Sequence, residues 1–238
     1  MISAEELLKR YAAGDRSFPQ ISLREAEFTN ADLQGANLSQ ADLRQGRFGK
    51  TNLSQSNLSK ADLSEAILWG THLDHANLSQ ARLRESDLTG AILNQTCLDQ
   101  ANLCKAILSG ASLSQASLVQ AVLYEADLRA SATHQTNLQQ ANLSYADLSY
   151  ARLNEVILRE TNLQGARLCR ANLRRGVGQD FLATDLTGAN LQGADLSYAD
   201  LTGAVLCNAN LQGADLTGAT LENADLTGAI LPDGTVHS

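Results

Sequence analysis

The chain has 238 residues, a formal net charge of −8 and only 4% aromatic residues. Scarce aromatic side chains disfavour a broad globular core, and no basic stripe with interleaved aromatic residues points to nucleic-acid binding. No apolar run approaches the roughly 20 residues of a membrane-spanning helix, and the N-terminus lacks the pattern of a signal peptide. We therefore expect a cytoplasmic protein that binds neither membranes nor nucleic acid directly.

The four cysteines support the same location. Cys97, Cys104, Cys169 and Cys207 have spacings that match no zinc motif, and all lie beside the main apolar pattern rather than in it. We interpret them as reduced, outward-facing thiols of a cytosolic protein.

The first segment, residues 1–20, does not follow the pattern of the remaining chain. Ser3 and Glu6 have the spacing of a capping box, and Leu7 and Tyr11 begin an apolar stripe. These features predict a short helix that caps the strand edges of the first coil. The alternative is an amphipathic helix that binds a partner.

A five-residue unit then dominates the sequence. From residue 21 to residue 231 a leucine or phenylalanine returns every five positions, usually preceded by alanine and then Asp or Asn, as in Ala31-Asp32-Leu33. Five matches neither the helical nor the strand period, and residues two apart in an extended chain point to the same side. Turn-forming residues fill the other two positions. The unit therefore predicts short straight sides joined by turns, stacked into a solenoid with leucine along its axis.

The unit, repeated in Ala36-Asn37-Leu38 and Ala141-Asn142-Leu143, resembles the pentapeptide repeat family over most of the chain. The resemblance implies an all-β fold: a right-handed quadrilateral β-helix with four units per coil. On that count the repeats of residues 21–231 form about ten coils. A tail of residues 232–238 follows.

Several outward positions are apolar against the pattern. In the four-sided arrangement Ile67, Trp69 and Ile107 share one side, and we identify them as a candidate interface. The alternative is sequence drift in a tolerant repeat. The nearby His72, Asp74 and His75 are ligand types without a third anchored position, so we predict no metal site there.

Two places disturb the repeat. In residues 131–135 the unit degenerates and Thr133 takes the central slot, yet Leu138 arrives on time. We expect one side to bulge there and the buried threonine hydroxyl to bond the backbone or a water.

The second disturbance follows Leu173. The pattern resumes at Phe181 and Leu186, which predicts a three-residue insertion within residues 174–180. The candidate partner-binding residues in and before this loop are Arg167, Arg170, Arg174, Arg175, Val177, Gln179 and Asp180. They would form a recognition loop beside a basic patch on a rigid scaffold. The alternative is a tolerated insertion whose arginines balance nearby acids.

The final quarter is acidic. Residues 176–238 contain no Lys or Arg and eight Asp or Glu, which equals the whole net charge. These acids are either repeat consensus that bonds nearby turns or an acidic end that attracts a basic partner.

No motif indicates catalysis, because the sequence lacks a phosphate-binding loop, a nucleophile elbow and a Ser-His-Asp grouping. We therefore predict a protein without enzymatic activity, cofactor or small-molecule substrate. Segments outside the repeat consensus, such as Ser64–Gly70 and Pro232–Gly234, resemble a cyanobacterial member of the family along its full length. That resemblance implies a regulator of heterocyst differentiation that binds a regulatory protein. The alternative is a DNA-mimic modulator of DNA gyrase, which the acidic end favours and the arginine cluster opposes.

Overall fold

The computed structural model describes residues 2–176 and 182–238, and it begins with helix α1, Ala4–Ala12. The side chain of Ser3 accepts a hydrogen bond from the Glu6 amide at 3.1 Å, so the predicted N-terminal cap is present. Leu7 is fully buried in the core, and the Tyr11 hydroxyl donates to the Gln34 carbonyl at 2.8 Å. Both contacts hold the helix on the end of the rod.

The repeats pair through single parallel bridges rather than extended strands. Residues twenty positions apart pair, which stacks four five-residue units in each coil. Four ladders result, and we name the faces A, B, C and D by the ladders that start at Ser17, Ser22, Glu27 and Asp32. The line of turns between two neighbouring faces is called an edge, for example edge C–D. These names locate every outward side chain on the rod.

Each turn has the same backbone geometry. The alanine amide donates to the preceding leucine carbonyl, as from Ala81 to Leu78 at 3.0 Å. The second turn residue is left-handed, with φ of 58° at Gln80. Glycine adopts this conformation most easily, yet glutamine is frequent there. Stacked amides offset part of the cost: Gln80 Nε2 donates to Gln100 Oε1 at 3.0 Å.

Leucine and alanine fill the interior as the repeat predicts. The central leucines are almost entirely buried, and the central phenylalanines Phe28 and Phe48 stack with ring centroids 5.2 Å apart. Gly46 occupies the small inward position beside them. A β-carbon at Gly46 would come within 2.6 Å of the Phe48 ring, so the larger ring requires a glycine at this position.

The two ends of the rod differ. At the start, Ser17 already bridges to Asn37 and Phe18 is buried, so the ladder begins before residue 21. At the other end, the tail folds back and Val236 forms an antiparallel bridge with Ile230 on face A. On the other faces of the last coil, leucines are only partly buried; they are Leu216, Leu221 and Leu226.

The degenerate unit leaves the ladder completely, which corrects the expectation of a buried Thr133. Ten residues separate the bridging positions Asp127 and Asn137, where the repeat uses five. The extra unit forms a first loop, residues 129–135, and Thr133 is exposed on it. The leucines stay in phase because the loop adds one whole unit. A period count therefore could not reveal it.

The second disturbance is also longer than the predicted three residues. Thirteen residues separate the bridging positions Asn172 and Asp185, so the chain adds eight. Leu186 directly follows Leu173 in the column of central leucines, because Asp185 stacks on Ile157. The second loop is residues 174–183. Its predicted contacts Val177, Gln179 and Asp180, and Phe181, lie outside the described residues.

Candidate protein-interaction surface

Both loops leave the rod along edge C–D. Asp127 and Asn172, which precede the loops, lie on face C, and Asn137 and Asp185, which follow them, lie on face D. Two coils separate the loops, which corresponds to about 10 Å at the usual strand spacing. The bases of the two loops therefore lie side by side, although some forty residues separate the loops in the sequence.

A buried threonine closes the second loop. Thr184 lies at the inward position after the loop, and its hydroxyl donates to the Leu153 carbonyl at 2.8 Å. The same oxygen accepts a hydrogen bond from the Glu155 amide at 2.9 Å. One side chain thus pairs two backbone groups of the coil beneath the loop.

The first loop is closed in the same way. The Thr136 hydroxyl donates to the Leu108 carbonyl at 3.2 Å and accepts from the Gly110 amide at 2.8 Å. The shared arrangement shows that threonine at this position is the local signal of a loop. The sequence alone does not reveal this signal, because Thr and Ser also replace alanine at ordinary inward positions such as Thr71.

The turn between the loops links them. The Gln135 side chain, at the end of the first loop, donates to the Glu155 carbonyl at 2.8 Å. The Asn154 side-chain Nδ2 donates to the Arg174 carbonyl, at the start of the second loop, at 3.3 Å. On face D, next to Gln135, lies a depression of about 320 Å³, and the exposed side chain of Leu182 lines it together with Asp185. The first loop, this turn and the described ends of the second loop therefore lie next to one another.

The predicted arginine cluster does not stay together. Arg174 and Arg175 lie at the base of the second loop on edge C–D, where the Arg175 side chain passes over Gly203. Arg167 lies on face B, 3.7 Å from Asp147, and Arg170 lies on edge B–C. Face C therefore separates the two pairs of arginines.

The apolar candidates lie further down the same side of the rod. Ile67 and Ile107 are on face C, with Asp87 stacked between them. Trp69 is on edge C–D, where its ring lies against Gly49 and the Lys50 ammonium is 5.0 Å from its centre. These three residues lie on the same face and edge as the loops. They do not form a single apolar patch, because Asp87 lies between the two isoleucines.

Ion pairs set the charge of face C near the first loop. Burial alone would raise the pKa of Asp127, but hydrogen bonds from Arg129 hold it below its ordinary value. Arg152, one coil further along face C, lies 3.6 Å from the same carboxylate. Asp127 therefore stays ionised at neutral pH and fixes both arginines beside the loop.

The described residues contain no group of His, Cys, Asp and Glu side chains arranged to hold a metal ion. In the same part of the chain, no helix is long and apolar enough to cross a membrane.

The family model for pentapeptide repeats matches residues 21–59, 56–95, 70–103, 96–131, 136–175, 184–223 and 194–233. The chain belongs to the pentapeptide repeat family. Members of this family fold as right-handed quadrilateral β-helices, which agrees with the four ladders and the single short helix. The predicted right-handed quadrilateral β-helix with one short helix is thereby confirmed, and the count of about ten coils stays a prediction.

Among solved pentapeptide repeat structures, the chain is similar to HetL from the cyanobacterium Nostoc sp. strain PCC 7120, a protein involved in the regulation of heterocyst differentiation. The two are 56% identical over the full length of both chains, with a TM-score of 0.98. None of the curated proteins compared with the chain matches it significantly.

Two other pentapeptide repeat structures align less well. QnrB1, a plasmid-mediated fluoroquinolone resistance protein, is 18% identical over 88% of this chain and 91% of its own, with a TM-score of 0.38. A second Nostoc protein is 38% identical over 49% of this chain and 82% of its own, with a TM-score of 0.26. These TM-scores are too low to carry a functional argument.

The pentapeptide repeat surface also holds aromatic residues that the sequence analysis missed. Tyr150 and Tyr198 are 46% and 58% exposed on edge B–C, on either side of Arg170. These tyrosines were not identified from the sequence, because a tyrosine at a turn position resembles the ordinary polar residues of the repeat. Tyr150, Arg170 and Tyr198 take equivalent positions in three successive coils. This becomes visible only when the eight extra residues of the second loop are counted.

Proposed function

We propose that this protein is a non-enzymatic interaction scaffold that regulates heterocyst differentiation in a cyanobacterium by binding a regulatory protein. The observation that carries the proposal is the full-length similarity to HetL. Because the alignment covers all of both chains, it includes helix α1, the tail and both loop regions as well as the repeats. Similarity confined to the repeats would support only the fold.

The rod supports such a role physically. A continuous leucine column through about ten coils, the number that the bridge ladders support, gives a stiff body. Binding residues favour loops that a rigid scaffold positions. We propose edge C–D as the contact surface, with Arg174, Arg175, Val177, Gln179 and Asp180 at the second loop. Ile67, Trp69 and Ile107 extend this surface along face C.

The charge distribution favours a scaffold over a DNA mimic of the gyrase-modulating type. A mimic of DNA needs a negative surface along its length. Here Arg82, Arg152 and Arg167 have side chains that are 71%, 58% and 65% exposed. These cations lie on faces B and C and interrupt any continuous negative surface.

We infer a cytoplasmic location from the four cysteines, all of which are free thiols. Burial raises the pKa of the Cys97 thiol, so this group stays protonated at neutral pH. Thiols of this kind have no redox or catalytic role in the proposal.

The experiment is inducible expression in a heterocyst-forming Nostoc strain, with heterocysts counted along the filaments. We expect heterocyst frequency to change with the wild-type chain. A variant without residues 176–183 joins Arg175 to Thr184 and restores the five-residue spacing, so it should fold and have a weaker effect. Unchanged frequency at matched protein level, together with inhibition of gyrase supercoiling, would overturn the proposal in favour of the DNA mimic.

A further inference from the structure

We propose that edge B–C carries a second docking surface, a tyrosine–arginine row that binds an acidic side chain of the protein partner. The row consists of Tyr124, Tyr150, Arg170 and Tyr198. This inference rests on the proposed scaffold function, because it names the chemistry that the partner must present.

The row is continuous over neighbouring coils. The rings of Tyr124 and Tyr150 meet edge to face with centroids 5.5 Å apart. The Arg170 guanidinium carbon then lies 5.9 Å from the centre of the Tyr150 ring and 5.2 Å from that of Tyr198. Four side chains thus form an uninterrupted aromatic and cationic strip.

Arg170 differs from the other arginines near it. Arg129 and Arg159 each bond an aspartate, and Arg167 lies 3.7 Å from Asp147. Within residues 2–176 and 182–238, no carboxylate comes within ion-pair distance of Arg170. The guanidinium lies over the rings of both flanking tyrosines, and in the described residues its N–H groups have no carboxylate partner, so they are available to a ligand. Two parallel N–H bonds to one carboxylate are the preferred arrangement.

The composition of the row is that of an interface centre. Tyrosine and arginine are enriched among residues that contribute most to binding at protein interfaces. Tyr150 and Tyr198 expose large apolar rings at turn positions that carry Gln, Lys or Glu in most other units. Tyr145 offers a contrast: it is 59% exposed on edge A–B, and among the described residues no arginine lies over its ring.

The row is also fixed before binding. The Tyr198 ring lies directly over Gly218, where a β-carbon would come within 2.7 Å of it. Gly218 therefore provides the space in which the ring rests against Arg170. A side chain held in its bound position loses little conformational entropy on association.

The surrounding charges favour a single carboxylate over a phosphate. On face B, the coils before and after Arg167 carry Asp147 and Asp195. At the lower end of the row, Glu125 lies 3.5 Å from Lys105. A phosphate group carries up to two negative charges and would be repelled by these acids more strongly than an Asp or Glu side chain of the partner.

Site-specific photo-cross-linking in Nostoc filaments tests the row. Benzoylphenylalanine replaces Tyr150 or Tyr198 in the full chain, and Tyr145 serves as the matched exposed control. We expect the same cross-linked protein from the first two positions, joined through a peptide that contains Asp or Glu, and at least tenfold less from the control. Equal yield from all three positions, or a linked peptide without an acid, would overturn the proposal.

Substitutions separate a binding role from a structural one. With the cross-linked protein purified, Arg170→Ala should weaken binding at least about tenfold, and Arg170→Lys should restore only part of it. Gly218→Ala should weaken binding by displacing Tyr198. Gly193→Ala bears the same left-handed strain with no ring above it and should bind normally. Equal affinity of all variants would refute the row.

The two proposals fail in different ways. If heterocyst frequency changes while the row gives no specific cross-link, the row is wrong and the regulatory function stands. If the row cross-links an acidic partner while heterocyst frequency is unaffected, the regulatory function is wrong and the row stands.

Discussion

Two sections of the rod share one interior but have different surfaces. In the lower section, residues 37–122, every described bridge between two residues of the section joins positions twenty apart. The upper section, residues 123–205, contains both loops on edge C–D and the tyrosine–arginine row on edge B–C. The central leucines are fully buried in both. The difference shows that a repeat can gain recognition features without changing the pattern that builds its core.

The upper section keeps its core because each loop is closed at its base. The hydroxyls of Thr136 and Thr184 accept hydrogen bonds from the Gly110 and Glu155 amides of the coil beneath each loop. The leucine after each threonine then occupies the usual position in the central column. Face C, between the two decorated edges, continues the ladder from Asp127 through Arg152 to Asn172. Any partner that contacts both edges would lie across this face.

The largest expected effect tests whether the two interiors are equivalent. Leu68→Ala in the lower section and Leu163→Ala in the upper section should each lower the free energy of unfolding by about 3 kcal/mol, because each removes a fully buried side chain. Urea unfolding measures both. A loss below about 1 kcal/mol for Leu163→Ala alone would show that the upper core is looser and contradict the comparison.

A smaller effect distinguishes loop closure from ordinary packing. Thr184→Val should cost about 1–3 kcal/mol, because it leaves the Leu153 carbonyl and the Glu155 amide without their hydroxyl partner.

The matched control is Thr161→Val. Thr161 donates to the Leu138 carbonyl, which also accepts a hydrogen bond from the Ala141 amide at 2.9 Å. The control should therefore cost less than about 1 kcal/mol. Equal losses for the two variants would mean that Thr184 has no special role at the loop.

We expect the smallest change in the free energy of unfolding when the first loop is removed. Deletion of residues 130–134 joins Arg129 to Gln135 and leaves a regular unit, with Thr136 inward and Asn137 on face D. We expect the free energy of unfolding to stay within about 1 kcal/mol of wild type, since loop-closure entropy changes slowly with length. Loss of a single cooperative urea transition would show that the loop supports the rod.

The sequence predicted the features that repeat every five residues. These are the leucine column, the small inward residues and the α1 cap at Ser3. It could not predict the lengths of the loops. An insertion of five residues keeps Leu138 in phase, and Phe181 resembles a central residue although Leu186 takes that place. Both errors arise because the five-residue period shows only which position of the unit a residue takes. It does not show to which coil the residue belongs.

The candidate surface depended on the same missing information. Arg167, Arg170, Arg174 and Arg175 are close in sequence and were predicted as one patch, but successive units turn onto different faces. The tyrosine–arginine row shows the converse: its residues are far apart in the sequence but adjacent in the rod. Arg170 and Tyr198 are neighbours only because the second loop adds eight residues to the usual twenty.

Hydrogen–deuterium exchange of the chain bound to its cross-linked partner shows which section of the rod recognises that partner. We expect slower exchange of backbone amides within residues 124–203, on the turns of edges B–C and C–D, and no change within residues 37–62. Protection confined to the lower section or to helix α1 would show that the partner binds away from the loops and the tyrosine–arginine row, and would refute both proposed surfaces.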